Sequence, residues 1–170
     1  KLGPAGLIEQ CQQQISKAVP EKKEFYESVI IVLEASREMM RRYGQLADEM
    51  IEDQNDNGKK ENLSQVHDIC FHIAENPPVT FRQAVQSLWF CFVLLQLESN
   101  ASSFSPGRMD QYLYPYLKND LENGRLTIDQ ALEILESLWL KFNQVVYMRN
   151  SNSAKYFAGF PIGFNICRSE

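Results

Sequence analysis

Residues 88–95 form an unbroken apolar run, LWFCFVLL, inside a segment that has the pattern of a single helix. This helix has a readable start, because the Thr80 hydroxyl can accept from the Gln83 amide while the Gln83 side chain reaches back to the Thr80 N–H, as in a capping box. We predict that it runs to about Glu98. A helix that is apolar on every side is buried on every side. We therefore expect the chain to belong to something larger, or to an oligomer.

Helical patterns also cover the first half of the chain. A long helix is predicted from about Glu21 to Asp53. Its apolar side chains recur mostly at three- and four-residue steps, which predicts one inward face: Phe25, Val29, Val32, Leu33, Met39, Met40, Tyr43, Leu46, Ala47 and Met50. A polar loop at about 54–61 separates this helix from a shorter one at about 63–75.

The second half continues in the same way. A helix is predicted at about 109–123, with Gly124 at its C′ position and with Pro115 either kinking it or setting a new first turn. Thr127 and Gln130 form a second capping box, which opens a helix to about residue 146. The glycine-rich end, 156–166, favours a loop leading into a short strand. The predicted fold class is mainly α, with at most one or two short strands near the C-terminus, in a single partial domain over residues 1–170.

Composition excludes several function classes. The chain is 44% hydrophobic with a net charge of -5, so there is no electrostatic reason to expect nucleic acid or an anionic membrane surface. The apolar run is far shorter than the roughly 18 residues that a bilayer span needs. No two of the four cysteines form a CxxC pair. We interpret all four as inert structural thiols: Cys11, Cys70, Cys91 and Cys167. We expect a protein of the cytoplasm.

Composition and spacing alone give no catalytic set. Phosphate-binding, zinc-protease and serine-hydrolase motifs are missing. His67 and His72 are five residues apart, which is not the four-residue step that places two metal ligands on one helix face, so no metal site is predicted. The loop 98–110 carries three serines beside Arg108, whose guanidinium can fork onto a carboxylate, including Asp110 or Glu98. Its polar groups could bind a polyol, or could serve as ordinary loop and cap groups.

Several strings together resemble those of glycyl-radical enzymes of the pyruvate formate-lyase type, in the branch of the glycerol and diol dehydratases. The segment 80–90, TFRQAVQSLWF, is similar to TFREALQSLWF in that family. The family's QLESN, xGRxDQYLYPYY and FAGYP…N strings resemble the segments 96–100, 106–116 and 157–166 here. The combination is specific, although no single string would be.

The resemblance implies a fold and a mechanism. It implies that the chain is an N-terminal-half helical portion of a ten-stranded α/β barrel. Family members store a radical on a glycine, installed by a separate S-adenosylmethionine iron–sulfur activating enzyme, and pass it to a cysteine in a GCxE-type loop. This sequence contains neither the radical-glycine motif nor a GCxE-type motif. The catalytic cysteine of the family cannot be carried over onto any of its four cysteines.

The resemblance also implies a substrate-contacting edge. The family's His-Ser pair, which contacts substrate hydroxyls, matches Ser102 and Ser103, and the tyrosine of FAGYP matches Phe160. Two of these three positions depart from the pattern, because an imidazole and a phenol hydroxyl are lost, which puts glycerol or propanediol in doubt as substrate. Arg108 and Asp110 match the family and are expected to be structural. Phe160 and its neighbours could equally be core residues.

These features predict a fragment of a glycyl-radical lyase or dehydratase that acts on a small polar substrate and is inactive alone. The alternative is a non-catalytic helical scaffold or interaction module derived from the same fold. Expected partners are a small-molecule substrate in the full-length enzyme, the radical-activating enzyme and a second copy of the chain. The exposed apolar surface of the isolated chain predicts self-association.

Overall fold

The computed structural model of the chain describes residues 2–99 and 104–144, which form six α-helices and contain no strand. The helices are α1 Gly3–Ile15, α2 Pro20–Glu52, α3 Asn57–Glu75, α4 Phe81–Ser99, α5 Met109–Glu122 and α6 Ile128–Gln144. The mainly helical fold class is confirmed. The strand expected near the C-terminus lies outside the described residues.

The chain divides into two compact units, Lys1–Pro78 and Val79–Glu170. The described helices α1, α2 and α3 belong to the first unit, and α4, α5 and α6 belong to the second. That both units form part of one larger domain stays a prediction.

Helix α1 was not predicted from the sequence. Its few apolar residues give a weak pattern, and glycine has low intrinsic helix propensity. Tertiary packing decides it, because Ile8 is buried and a Cβ at Gly3 would lie only 3.0 Å from the Asn76 carbonyl oxygen. Gly3 also has a φ of +64°, which glycine adopts without a steric penalty.

Helices α2 and α3 approach each other closely through small side chains. A Cβ at Gly44 would come within 2.8 Å of the Phe71 ring and within 3.3 Å of the Cys70 Cβ. The buried side chains of α2 and α3 are Ser36, Met40, Ala47, Cys70, Ile73 and Ala74. Close packing of this kind depends on the missing side chain at Gly44, since a protein interior has little room for added atoms.

Only part of the predicted inward face of α2 is buried. Met40 and Ala47 are buried as expected, but half or more of the surface of Phe25, Val32 and Leu46 remains exposed. The helix therefore carries two neighbouring apolar stripes, of which the described residues cover one. The assignment of both stripes to a single buried face was wrong.

The loop after α2 is shorter than the predicted 54–61, because α3 begins at Asn57. The Asp56 carboxylate accepts hydrogen bonds from the backbone N–H groups of Gly58, at 2.8 Å, and Lys59, at 3.2 Å. An aspartate N-cap satisfies amides that the first turn leaves without partners. This cap extends the helix into a polar segment that composition alone assigned to a loop.

A charged network joins α2 to the end of α3. The Glu75 carboxylate forms ion pairs with both Arg37 and Arg41. Arg37 also donates to both oxygens of Glu34, at 2.8 and 2.9 Å, and to the Ala74 carbonyl, at 3.2 Å. Desolvation acts to raise the pKa of Glu75, but the two guanidinium groups outweigh it and hold that pKa below its usual value.

Both predicted capping boxes are present in the second unit. The Gln83 amide donates to Thr80 Oγ1 at 3.3 Å, and the Gln83 side-chain oxygen accepts from Thr80 N–H at 3.3 Å. At the start of α6, the two reciprocal distances between Thr127 and Gln130 are 2.9 and 3.2 Å. These side-chain bonds fix where α4 and α6 begin.

The core of the second unit is built from aromatic rings. Phe92 lies in edge contact with Phe142, with ring centroids 4.8 Å apart, and stacks near Trp89 at 6.0 Å. Leu113 of α5 and Leu138 of α6 complete this apolar cluster. Aromatic side chains bury large areas, so a few residues supply most of the packing between the three helices.

Helix α4 is not enclosed on every side by the described residues, which corrects the sequence prediction. Cys91 lies at the surface, and Leu97 keeps 72% of its area exposed. Helices α5 and α6 pack against α4 and leave these residues uncovered. The prediction of a buried thiol is therefore wrong at Cys91, whereas Cys70 is fully buried and burial raises the pKa of its thiol to about 11.

Helix α5 runs without interruption through Pro115, so that residue does not begin a new helix. Its end is as predicted: Gly124 follows with a φ of +65°, and its N–H donates to the Leu121 carbonyl at 3.1 Å. A glycine in this left-handed conformation is a common C-terminal stop.

Candidate functional site

The candidate site is the loop between α4 and α5. Ser102 and Ser103 lie outside the described residues, as does Phe160, so the structure tests none of the three. It does describe both sides of the loop: the last turns of α4, and residues 104–108 that lead into α5. These two sides show how the loop is held.

Phe104 anchors the side that follows the serines. Its ring meets Phe92 in an edge contact, with centroids 5.8 Å apart. Phe104 thereby joins the buried aromatic cluster of α4 and α6. Because it directly follows Ser103 in sequence, it ties this end of the loop to a rigid core.

The next residues form a tight, hydrogen-bonded turn. Gly107 adopts a φ of +70°, and its N–H donates to Ser105 Oγ at 3.2 Å. The Tyr112 hydroxyl donates to the Pro106 carbonyl at 2.8 Å. Burial, together with the neighbouring Cys91 thiol, raises the pKa of Tyr112 to about 12, so this hydroxyl keeps its proton and remains a donor at neutral pH.

Arg108 and Asp110 engage each other at the start of α5. The guanidinium donates through Nε and Nη2 to the two carboxylate oxygens, at 3.0 and 2.7 Å. The hydrogen bond from Arg108 outweighs a small desolvation effect and lowers the pKa of Asp110. The predicted fork of Arg108 onto a carboxylate is confirmed with Asp110 as the partner.

Gln96 marks the side that precedes the serines, and sequence reasoning overlooked it. Its side-chain nitrogen Nε2 is buried and has no hydrogen-bond partner among the described residues. A buried amide donor without a partner is uncommon and destabilising. The signal available in the sequence was a glutamine within an otherwise apolar stretch of α4.

The two histidines are engaged within the first unit. His67 lies 3.1 Å from an Asp68 oxygen and tilts against the Phe71 ring at 4.7 Å. Nε2 of His72 lies 3.1 Å from the Pro77 carbonyl oxygen. Within residues 2–99 and 104–144, no cluster of three or more His, Cys, Asp or Glu side chains could hold a metal ion.

No helix in the described part of the chain is both long enough and apolar enough to cross a bilayer. In the second unit, α4 and α5 flank the polar segment that contains the candidate residues. Residues 1–168 match the family model described as pyruvate formate lyase-like. The chain belongs to this family, which contains glycyl-radical enzymes.

Individual relatives support the same assignment. The chain is 37% identical over 168 residues to the (2S)-3-sulfopropanediol dehydratase of Klebsiella oxytoca, covering 95% of this chain and 20% of that enzyme. It is 40% identical over 145 residues to the probable dehydratase YbiW of Escherichia coli (strain K12), covering 85% of this chain and 18% of that protein.

A solved structure agrees closely with the fold. The glycerol-bound form of the B12-independent glycerol dehydratase from Clostridium butyricum matches with a TM-score of 0.90 and 32% identity, covering 98% of this chain and 22% of that one. The described helices are thus the helical portion of a glycyl-radical enzyme fold. The chain spans about a fifth of the length of the relatives that it matches.

Proposed function

We propose that this chain is a helical segment of a glycyl-radical dehydratase or lyase, which cleaves a C–O or C–C bond of a small polar substrate. The match to the family over residues 1–168 carries this proposal. Relatives named as dehydratases and as an isethionate sulfite-lyase support it. Since the sequence holds no GCxE-type motif, the radical-bearing residues would lie outside these 170 residues, and the segment alone would be inactive.

The proposed role of the segment is to supply one edge of the substrate pocket. Ser102 and Ser103 would hydrogen-bond substrate hydroxyl groups, and Phe160 would form an apolar part of the wall. The anchoring of Phe104 and the fork between Arg108 and Asp110 support this role, because binding groups need a rigid base. A serine in place of histidine also means that any proton transfer near neutral pH would need another group.

The family implies the remaining components of the reaction. A protein glycyl radical would supply the hydrogen-abstracting chemistry, and a separate activating enzyme that uses S-adenosylmethionine and an iron–sulfur cluster would install it. Such an enzyme would act in the cytoplasm, where reducing conditions keep cysteine thiols free. A homodimer of the longer protein is part of the same proposal.

The reading frame downstream of residue 170 tests the proposal most directly. An in-frame GCxE motif followed by an RVxGY motif, the string that carries the radical glycine in family members, supports the enzyme. Anaerobic activation of that longer protein should then produce a glycyl-radical signal in electron paramagnetic resonance. An immediate stop codon, or a longer protein that gives no radical signal, would instead favour a non-catalytic scaffold.

Paired variants of the longer protein test the pocket edge. Ser103→Ala should raise KM for the substrate by about tenfold, the effect of one lost hydrogen bond to a bound hydroxyl. Ser137→Ala is the matched control, because that serine is exposed on α6. Equal KM values for the two variants would remove Ser103 from the proposed pocket.

Self-association tests whether the segment normally has neighbours. Exposed apolar side chains, including Ile31 on α2 and Leu97 on α4, should drive the isolated chain to associate. Sedimentation velocity should show species heavier than the monomer, and a dye that binds apolar surface should fluoresce with the chain. A monodisperse monomer without dye binding would argue against a segment of a larger enzyme.

A further inference from the structure

Asp120 is a buried carboxylate that sequence analysis did not select. It lies in the last turn of α5 with only 3% of its surface exposed. Its Oδ2 accepts a hydrogen bond from the backbone N–H of Phe81, the first residue of α4, at 2.7 Å. An isolated buried carboxylate is strongly unfavourable, so its partners must compensate for the lost hydration.

Two groups provide that compensation. The N-terminus of α4 carries a partial positive charge, which favours a carboxylate bonded to its first amide. The guanidinium of Arg125 lies 3.0 Å from Oδ1, as an ion pair that lacks the alignment of a hydrogen bond. The Arg125 N–H also donates to the Asp120 carbonyl at 2.9 Å, which fixes the turn between α5 and α6.

Asp120 and the candidate loop lie at opposite ends of a helical hairpin. Phe81 at the start of α4 meets Asp120 near the end of α5, and Cys91 further along α4 lies beside Tyr112. This order of contacts shows that α4 and α5 run antiparallel. Residues 104–108, which lead into α5, therefore lie at one end of the hairpin, and the Asp120 bond lies at the other.

We propose that Asp120 is a positioning residue for residues 104–108, the described side of the candidate loop, acting through α4 and α5. This inference rests on the proposed function and adds a residue to it. A helix of 19 residues is about 28 Å long, so a small rotation at its start becomes a shift at its end. Misplacement of a binding group by about 1 Å can lower a rate by about a hundredfold.

The capping box does not replace this bond. Thr80 and Gln83 satisfy each other's amides, whereas the Phe81 amide turns to another helix. The box therefore specifies where α4 begins along the chain, and Asp120 specifies where that beginning lies relative to α5. Only the Asp120 bond can therefore change how α4 and α5 lie relative to each other.

Hydrogen exchange in the 170-residue chain tests the inference without any activity. Asp120→Ala should speed exchange at the first turn of α4 and, by at least about tenfold, at the backbone amides within residues 104–108, of which Pro106 has none and Gly107 is hydrogen-bonded to Ser105. Asp120→Asn keeps an acceptor oxygen for the Phe81 amide and should restore most of the protection. Glu122→Gln is the control, since Glu122 is an exposed acid in the same turn of α5.

Acceleration confined to the first turn of α4 and the last turn of α5 would overturn the inference and make Asp120 a local cap. If Asp120→Ala does not fold, Arg125→Gln decides the matter, because it removes the compensating charge and leaves the Phe81 bond. It should accelerate exchange at residues 104–108 by a smaller factor, and no change there would equally overturn the inference.

Kinetics of the longer, activated protein give the second test. Asp120→Asn should leave the radical signal unchanged and keep kcat/KM near the wild-type value. Asp120→Ala should lower kcat/KM by about tenfold or more. Loss of activity without any effect on exchange at residues 104–108 would contradict positioning. Absence of a radical in every variant, wild type included, would count against the proposed function and leave the exchange result to decide the role of Asp120.

Discussion

The two units of the chain reach a packed state by different means. In Lys1–Pro78 the buried side chains are mostly small, α2 and α3 approach closely at Gly44, and a charged network around Glu75 ties their surfaces together. In Val79–Glu170 the described core is aromatic and aliphatic, centred on Phe92 and Phe142. Where two helices approach closely, an added side-chain atom causes a steric clash that lowers stability. In an aromatic core, a removed side chain leaves a cavity that lowers stability.

This difference separates two roles. The second unit combines a large apolar core with a buried carboxylate and two capping boxes, which makes it a rigid base for the loop between α4 and α5. The first unit leaves an apolar stripe of α2 exposed, including Phe25 and Leu46. Both tryptophans, Trp89 and Trp139, lie in the second unit, so their fluorescence follows that unit while circular dichroism follows both.

The largest expected effect is the loss of an aromatic ring from the second unit. Phe92→Ala should lower the free energy of unfolding of that unit by about 3–5 kcal/mol, because a fully buried phenyl group leaves a cavity. The urea midpoint of tryptophan fluorescence measures it. Phe25→Ala, which removes an exposed ring from α2, should change stability by less than about 0.5 kcal/mol, as measured by circular dichroism, which follows both units. Equal shifts would contradict the assigned core.

Adding a methyl group tests the first unit in the opposite sense. Gly44→Ala should lower its stability by about 1–3 kcal/mol, because the new Cβ would meet the Phe71 ring at 2.8 Å. The circular dichroism transition should shift while the fluorescence midpoint stays in place. A joint shift of both signals would show that the two units unfold together. Gly58→Ala is the control, since its Cβ would make only ordinary contact and should be neutral or stabilising.

The N-cap of α3 should contribute less. Asp56→Ala removes the acceptor for the amides of Gly58 and Lys59 and should lower stability by about 1 kcal/mol. Asp56→Asn and Asp56→Ser keep a capping oxygen and should retain most of the wild-type stability. Urea unfolding followed by circular dichroism measures the series. Alanine and asparagine variants of equal stability would exclude the cap as the reason that α3 starts early.

The smallest expected effect is electrostatic. Glu75→Gln should lower stability at pH 7 by about 0.5–1 kcal/mol, since the carboxylate is partly exposed. Because the folded pKa of Glu75 lies below its ordinary value of 4.5, its contribution is present above about pH 4.5 and is lost as the pH falls through the folded pKa. The variant and the wild type should therefore converge once the pH falls below the folded pKa of Glu75.

The exposed pair of Lys23 with Glu27 gives the control for this measurement. Its charged groups lie 3.9 Å apart and are half exposed. Glu27→Gln should therefore change stability little, both at pH 7 and below the folded pKa of Glu75. A pH-independent difference between Glu75→Gln and wild type would show that lost hydrogen-bond geometry, rather than charge, explains the change.

Local chemistry in the sequence determined where several helices begin and end. The capping boxes at Thr80 and Thr127 and the stop at Gly124 depend on residues three or four positions away, so a single stretch of chain contains all their partners. The resemblance of separate strings to glycyl-radical enzymes likewise identified the family from sequence alone. The three proposed pocket residues, Ser102, Ser103 and Phe160, stay predictions because they lie outside the described residues.

Tertiary structure decided what depends on partners distant in the chain. It selected one of the two apolar stripes on α2 for burial and left parts of α4 exposed, because hydrophobic periodicity shows that a face is apolar but not whether another element covers it. It also placed the Asp120 carboxylate against the Phe81 amide, 39 positions away in sequence. Burial of a charge depends on such compensating partners, and they come together only when the helices pack.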